Sequence, residues 1–422
     1  MKALIITYYW PPAGGSGVQR WLKFVKYLQN FDIEPIVYTV DNPKYPIIDN
    51  SLIKEVSKKI KVLKKPIWEP NNILSFFKKY NRQSAGFLNK NPSFLGKILQ
   101  YVRANFFIPD ARIFWIKPSV KFLENYIKNN NIDVVISTGP PHSIHLIAQQ
   151  LKEKLDIKWI SDFRDPWTGI DYFHQLPLTI NAKNRHFRLE KKILEESDAV
   201  LVVSNTMKKN YSRFNKNIHV VTNGFDSDFI EKPNIILDKF FSITHVGMMN
   251  SDRNPKNLWK VLSEICNENL EFKNDLQINL VGKVDDQIKI DLQVFENKTV
   301  KLIDYLPHLE VKHYQEKSQL LLLVVNNVPN AKGIVTGKIF EYLEANRPIV
   351  TIAPEDGDAA EIINNTNAGV VFNFNEVSKL KTVILSYYKA FKKKELRIIS
   401  KDINQYHRKE LTQKLASIIK AI

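Results

Sequence analysis

The 422-residue chain holds a single cysteine, Cys266. One thiol excludes a disulfide scaffold and a zinc site built on cysteines. Long apolar runs are also missing. The longest unbroken aliphatic stretch is Leu320 to Val325, against the ~20 residues that span a bilayer as a helix. The opening residues, Met1-Lys2-Ala3-Leu4-Ile5-Ile6, soon reach Trp10-Pro11-Pro12, too short an apolar stretch for a secretory signal. No short-period repeat is visible. Acids are the minority charge: 61 Lys and Arg against 44 Asp and Glu give 61 − 44 = +17. These absences predict a cytoplasmic protein drawn to something negative.

Hydrophobic residues make up 44% of the chain and charged residues 25%, the composition of an ordinary globular protein. At ~150 residues per domain the length predicts two or three domains. The charge is uneven. From Lys44 to Lys128 there are 17 Lys and Arg and 5 Asp and Glu, so 17 − 5 = +12 of the excess lies there. Aromatics interleave with it: Phe76-Phe77, Phe94, Tyr101, Phe106-Phe107 and Phe114-Trp115. Such a stretch is either a lysine-rich solvated surface over core aromatics or a patch for anionic lipid headgroups. No nucleic-acid-binding motif accompanies it, so nucleic acid is not an expected partner.

Along the chain, short apolar runs alternate with helical patterns. Lys2 to Thr7 reads as a strand, followed by the turn-rich loop Pro11-Pro12-Ala13-Gly14-Gly15-Ser16-Gly17. Val18, Leu22, Val25 and Leu28 then recur at helical spacing before a second strand, Pro35 to Val40. Further strands are expected at 133–138, 158–161, 199–203 and 219–222, ending one α/β half. The pattern restarts with 241–246, 276–281, 320–325 and 348–352. Two such series predict two doubly wound, parallel-sheet domains. The expected limits are 1–232, with the basic-aromatic insertion at about 44–128, then 233–395. The tail 396–422 is expected as a helix packing back on the N-terminal domain through Leu411, Leu415 and Ile418. Open α/β sheets bind ligands beyond the carboxyl ends of their strands, so the loops there are the candidate site, in a cleft between the domains.

Several residues in those loops carry chemistry. Gly14-Gly15-Ser16-Gly17 opens a helix, where backbone N–H groups and the helix dipole favour an anion. A plain tight turn reads equally well. Gly337-Lys338 opens another helix, with amides and an ammonium suited to a diphosphate, and Glu341 lies about one turn on, suited to ribose hydroxyls. His142 follows a strand behind two prolines, which fix where its imidazole points; His145 is three residues on. Asp162 and Asp165 flank Arg164 at another strand end, where the acids either pair with Arg164 or hold a substrate hydroxyl. Asp226-Ser227-Asp228 follows a turn, leads into the expected linker and is set aside as a metal site. No His or Cys spacing suggests zinc.

These segments, in order, resemble GT-B glycosyltransferases of the retaining family 4 type, which act in bacterial polysaccharide and cell-envelope synthesis. The resemblance rests on Tyr9-Trp10-Pro11-Pro12-Ala13-Gly14-Gly15-Ser16-Gly17 and on Asp162-Phe163-Arg164-Asp165-Pro166-Trp167. It continues through Glu190 with Ser197-Asp198-Ala199-Val200, then Thr222-Asn223-Gly224-Phe225-Asp226, and ends at Gly337 to Leu343 with Arg347-Pro348. It implies a nucleotide-sugar substrate held by the C-terminal domain, a glycan or lipid-linked acceptor held by the N-terminal domain, and neither metal nor cofactor. By position it implies donor contacts from Gly15, Gly17, Arg253, Gly337, Lys338 and Glu341. His142 and Asp165 become the catalytic candidates, and Asp162 and Arg164 the acceptor-binding ones. Two departures stand out. The first of the family's two spaced glutamates falls at Ile334, and its arginine after the strand glycine falls at Met248. The expected location is the cytoplasm, peripheral on the inner face of the plasma membrane. The competing readings are a GT-B nucleotide-sugar epimerase and a catalytically weak scaffold of an envelope-glycan assembly.

Overall fold

The computed structural model describes residues 1–69, 93–226 and 235–422. The chain forms two compact units, Met1–Asn223 with Arg408–Ile422, and Gly224–His407. The first boundary therefore falls earlier than 232/233, and residues 396–407 belong with the second unit rather than the tail.

The first unit is built on β1 (Lys2–Ile6), β2 (Glu34–Val40), β3 (Lys61–Lys65), β4 (Val134–Gly139), β5 (Lys158–Phe163), β6 (Ala199–Val202) and β7 (Ile218–Val220). All pairings are parallel, in the order β3-β2-β1-β4-β5-β6-β7. The order reverses between β1 and β4, so the crevice outside their carboxyl ends is the natural ligand position. The helices are α1 (Ser16–Leu28), α2 (Phe94–Phe106), α3 (Ile116–Asn130), α4 (Ser143–Leu155), α5 (Ile180–Glu196) and α6 (Asn205–Tyr211). Alternation along β1 sends Leu4 and Ile6 into one core with Trp115, Leu123 and Ile147. Ala3 and Ile5 join the other with Trp21, Phe24 and Leu415. Leu415 belongs to the terminal helix Arg408–Ala421, which packs along α1.

The second unit repeats the arrangement with β8 (Phe241–Val246), β9 (Leu276–Val281), β10 (Val300–Ile303), β11 (Leu320–Val324), β12 (Ile349–Ile352) and β13 (Gly369–Phe372). Its parallel order is β10-β9-β8-β11-β12-β13, reversing between β8 and β11. β11 is buried along its whole length, as its unbroken apolar sequence requires of a strand covered on both faces.

Three strands lie outside the sequence reading: β3, β10 and β13. Each is the short edge strand of its sheet; lysines on β3 and β10 guard against edge-to-edge pairing, while β13 carries no charge. β5 also runs further than expected, so Asp162 sits inside the strand and not in the loop beyond it.

Candidate active site

At the carboxyl edge of the first sheet, the loop after β1 passes through Gly14 and Gly15. A Cβ on Gly14 would meet Ile47 Cγ2 at 2.8 Å, and Gly15 has φ +89°, so both positions require glycine. Gly15 is the N-cap of α1 and supplies no side-chain cap, which leaves the first-turn amides to an outside acceptor.

Asp162 and Arg164 are corrections. Asp162 is fully buried. Its carboxylate accepts from Arg20 Nη2 at 2.8 Å and Nε at 3.2 Å, Trp21 Nε1 at 2.7 Å and Thr138 Oγ1 at 2.8 Å. Those donors hold the carboxyl below its ordinary pKa against the opposing effect of burial. A carboxylate so saturated has no capacity left for an acceptor sugar. Arg164 likewise spends its guanidinium inside the protein. Nη1 donates to Gly17 O at 2.6 Å, Nε to Gly139 O at 3.2 Å and Nη2 to Pro140 O. It staples the first turn of α1 to the end of β4. The missing side chain of Gly17 serves that staple, since a Cβ there would lie 2.6 Å from Nη1. Asp165, by contrast, is exposed at the same edge.

His142 is the N-cap of α4 and 9% exposed. Its ring stacks on Trp167 with centroids 4.6 Å apart and planes at 3°. Trp167 is held in turn from α5: its Nε1 donates to His186 Nδ1 at 3.0 Å, and its backbone N to Glu190 at 3.2 Å. Glu190 also accepts from Tyr211 Oη at 2.6 Å. The start of α4 is fixed by Asp110, which accepts from Ser143 N and Oγ, both at 2.9 Å. Neither Asp110 nor the His186–Glu190 pair was among the sequence candidates. The i, i+4 spacing of His186 and Glu190 on a helix was the available signal.

His145 is fully buried and packs on Phe163. Ser137 Oγ accepts from Trp159 Nε1 at 2.9 Å and is hydrogen-bonded to His145 Nδ1 at 2.8 Å. His145 Nε2 and His142 Nδ1 are both buried without a partner among the described residues. They converge on Gly139, where a Cβ would come within 2.5 and 3.0 Å of them. Burial, then the nearby His145 and Arg164, pushes His142 well below the free imidazole value. Burial takes His145 down to about 3. The edge of the first sheet therefore carries two neutral, ring-stacked imidazoles beside the Arg164 guanidinium.

The second sheet presents the opposite chemistry. Gly247 and Gly282 follow β8 and β9 with φ +96° and +117°, and a Cβ on Gly282 would meet Gly247 O at 2.9 Å. The Lys338 side chain lies over Gly247, with Cε 2.6 Å from where a Cβ would stand. Lys338 opens the helix Lys338–Ala345, whose N-cap Gly337 has ordinary helical dihedrals and no side-chain cap. Tyr342 Oη anchors this helix by accepting from Val246 N at 3.0 Å. His245, buried in β8, donates from Nδ1 to Leu322 O at 2.9 Å, and its Nε2 lone pair faces Lys338 Nζ at 3.4 Å. Sequence reasoning passed over His245 because it reads as one more strand residue.

Arg253 comes from the loop after β8 and donates from Nη1 to Met248 O at 3.2 Å. Burial, then Arg253, lowers the Lys338 pKa well below that of free lysine, with Glu341 opposing. Glu341 accepts from Gln315 Nε2 at 3.0 Å through Oε2. Thr336 Oγ1 and Asn250 Oδ1 are buried without a partner among the described residues. Ile334 packs on the core of this unit. Among the described residues no group of three or more His, Cys, Asp and Glu is placed to hold a metal ion; Ser227 and Asp228 lie outside those residues.

Residues 88–229 match the family model described as Glycosyltransferase Family 4. No curated protein matches the sequence. Among solved structures, the chain is similar to a glycosyltransferase from Rickettsia africae ESF-5, at TM-score 0.63 and 17% identity over 100% of this chain and 98% of that one. It is similar to WaaG, a glycosyltransferase involved in lipopolysaccharide biosynthesis, at TM-score 0.55 and 13% identity over the whole of both chains. A Listeria monocytogenes protein assigned as UDP-N-acetylglucosamine 2-epimerase gives TM-score 0.57 and 11% identity over 100% and 96%. The family 4 model thus covers about a third of the chain, and the two-sheet architecture is the GT-B fold of these neighbours.

Proposed function

We propose that the protein moves a sugar from a nucleotide-sugar donor to a glycan or lipid-linked acceptor in cell-surface polysaccharide synthesis, retaining the anomeric configuration and using no metal ion. The observation that carries this reading is the pairing of Lys338 and Arg253 at the carboxyl edge of β8, with Glu341 as the opposing charge. A leaving nucleoside diphosphate gathers negative charge as the bond from its phosphate oxygen to the anomeric carbon breaks. Two positioned cations and the uncapped amides at Gly337 answer that charge. Glu341 keeps one carboxylate oxygen for ribose hydroxyls. On the first sheet, the Gly15 turn offers amides to phosphate, neutral His142 offers a hydrogen bond to the donor sugar without adding charge, and Asp165 faces the acceptor hydroxyl. WaaG's role in lipopolysaccharide biosynthesis supports the cell-surface assignment.

A panel of nucleotide diphosphates and sugar nucleotides, read by thermal shift, tests the donor half; a ligand at ~100 Kd adds about 2.7 kcal/mol. NMR of the product, with and without chelator, tests retention and metal independence. The epimerase reading draws on the Listeria neighbour. It predicts conversion of the donor sugar with no acceptor present, whereas the transferase releases nucleoside diphosphate only as acceptor is consumed.

A further inference from the structure

We infer that α2 and the first half of α5 form a docking surface for an anionic lipid bilayer. α2 is built inside out. None of its thirteen residues is buried. At 100° per residue, Phe94, Leu95, Ile98, Leu99, Val102 and Phe106 fall within an arc of ~140°, and all of them are exposed, Phe94 to 77% and Phe106 to 68%. The less exposed positions include Gly96, Gln100 and Ala104, four residues apart. A helix packed on a protein core does the reverse, turning its apolar stripe inward. Lys97 and Arg103 flank the apolar arc on its two sides, where their stems can lie along it while the charged ends reach outward.

α5 continues the surface. Asn105, at the end of α2, donates to Pro177 O and accepts from Thr179 N, at 2.8 and 2.7 Å, which ties it to the start of α5. There Ile180 is 79% exposed and Phe187 is exposed as well, among exposed Lys183, Arg185 and Arg188. No acid occurs in residues 93–109 or 177–189. Apolar side chains bordered by cations, with no carboxylate in either segment and with Asp110 and Glu69 near Arg103, are the complement of an anionic headgroup layer over acyl chains. The sequence pattern pointed to 44–128 alone. α5 enters only through the fold. The inference does not depend on which sugar is transferred, or on whether transfer occurs.

Flotation of the full chain with vesicles of phosphatidylcholine, alone or mixed with phosphatidylglycerol, tests it. Binding is expected only with the anionic lipid, weakened but not abolished by salt. Lys97→Glu with Arg103→Glu should weaken it by about thirtyfold or more, since each cation near such a surface contributes about 1 kcal/mol and ~1.4 kcal/mol is tenfold. Phe94→Ser with Leu99→Ser and Phe106→Ser should remove the salt-resistant part. That variant should melt as wild type, because it deletes nothing buried. Equal binding to both vesicles, or wild-type binding by the serine variant, would overturn the proposal. So would a wild-type protein that self-associates through these residues while its vesicle binding ignores their replacement.

Discussion

In the first sheet, β4 and β5 end in stacked rings: His142 on Trp167, His145 on Phe163, with the buried Asp162 of β5 already neutralised by Arg20. In the second, the loop after β8 supplies Arg253 and the helix after β11 opens on Lys338, and their charges crowd each other. The strand orders match, β3-β2-β1-β4-β5-β6-β7 against β10-β9-β8-β11-β12-β13. Topology therefore sets where each site lies, and only the local side chains set its charge. The first edge closes Asp162 on Arg20 and leaves two neutral imidazole nitrogens without a partner among the described residues. The second is left with a cationic excess that an anion relieves.

The strongest way to break this contrast is to remove its internal compensation. Arg20→Ala leaves the buried Asp162 without its cation, which should cost about 3–5 kcal/mol. Hydrogen exchange read by mass spectrometry should show faster exchange in β1, β4 and β5, while β8, β9 and β11 keep their protection. Uniform acceleration through both units would show that the pair is not a local device.

Acid separates the units next. Buried histidines with depressed pKa values release protons on folding, so their contribution is fully present above the unfolded value of ~6.5 and is lost as pH falls toward the folded values. The first unit holds three such residues: His142, His145 at about 3 and His186 at about 4. The second holds His245. Each costs at most about 1.4 kcal/mol per pH unit in that window. Between pH 6.5 and 5.5, exchange in the first unit should rise far more than in the second; equal sensitivity would contradict the assignment.

Lys338→Ala should weaken nucleoside diphosphates about ten- to a hundredfold, the ~1.5–3 kcal/mol of a charge-assisted hydrogen bond, while sparing the nucleoside. Glu341→Gln should weaken both. His245→Phe keeps the ring volume but removes the acceptor facing Nζ; it should give a smaller, diphosphate-selective loss that vanishes in a Lys338→Ala background. A His245→Phe effect that persists there would mean His245 does not act through Lys338. Because the free ammonium is held below its ordinary pKa, diphosphate binding should take up a proton as pH rises. Calorimetry in buffers of different ionisation heat measures this, and Lys338→Ala should abolish it. The smallest expected effect is a null one. With His142 neutral, kcat should show no inflection near pH 6.5 that His142→Ala removes, although that substitution lowers kcat itself.

Much of this was legible before folding. The strand end at Gly139 marked His142 by position, and the Gly337-Lys338 helix start marked Lys338 and Glu341. What failed did so for one physical reason: the deciding partner is remote in sequence. Asp162 looks like a site acid until Arg20, 142 positions earlier, is seen to close on it. His245 looks like packing until Lys338, 93 positions later, reaches it. β3, with its sequence Lys61-Val62-Leu63-Lys64-Lys65, carries no strand pattern of its own and pairs because β2 offers it an edge.

The terminal helix Arg408–Ala421 has a consequence for synthesis. It completes the core that contains Trp21 and Phe24, yet it is made only after the whole second unit. Domains of a growing chain usually fold in order of emergence. Here the first unit must wait, its α1 surface uncovered, while the second emerges whole and can fold ahead of it. A ribosome that pauses late in this message would hold a finished second unit beside an unfinished first, and chaperones would meet the protein most often in that state.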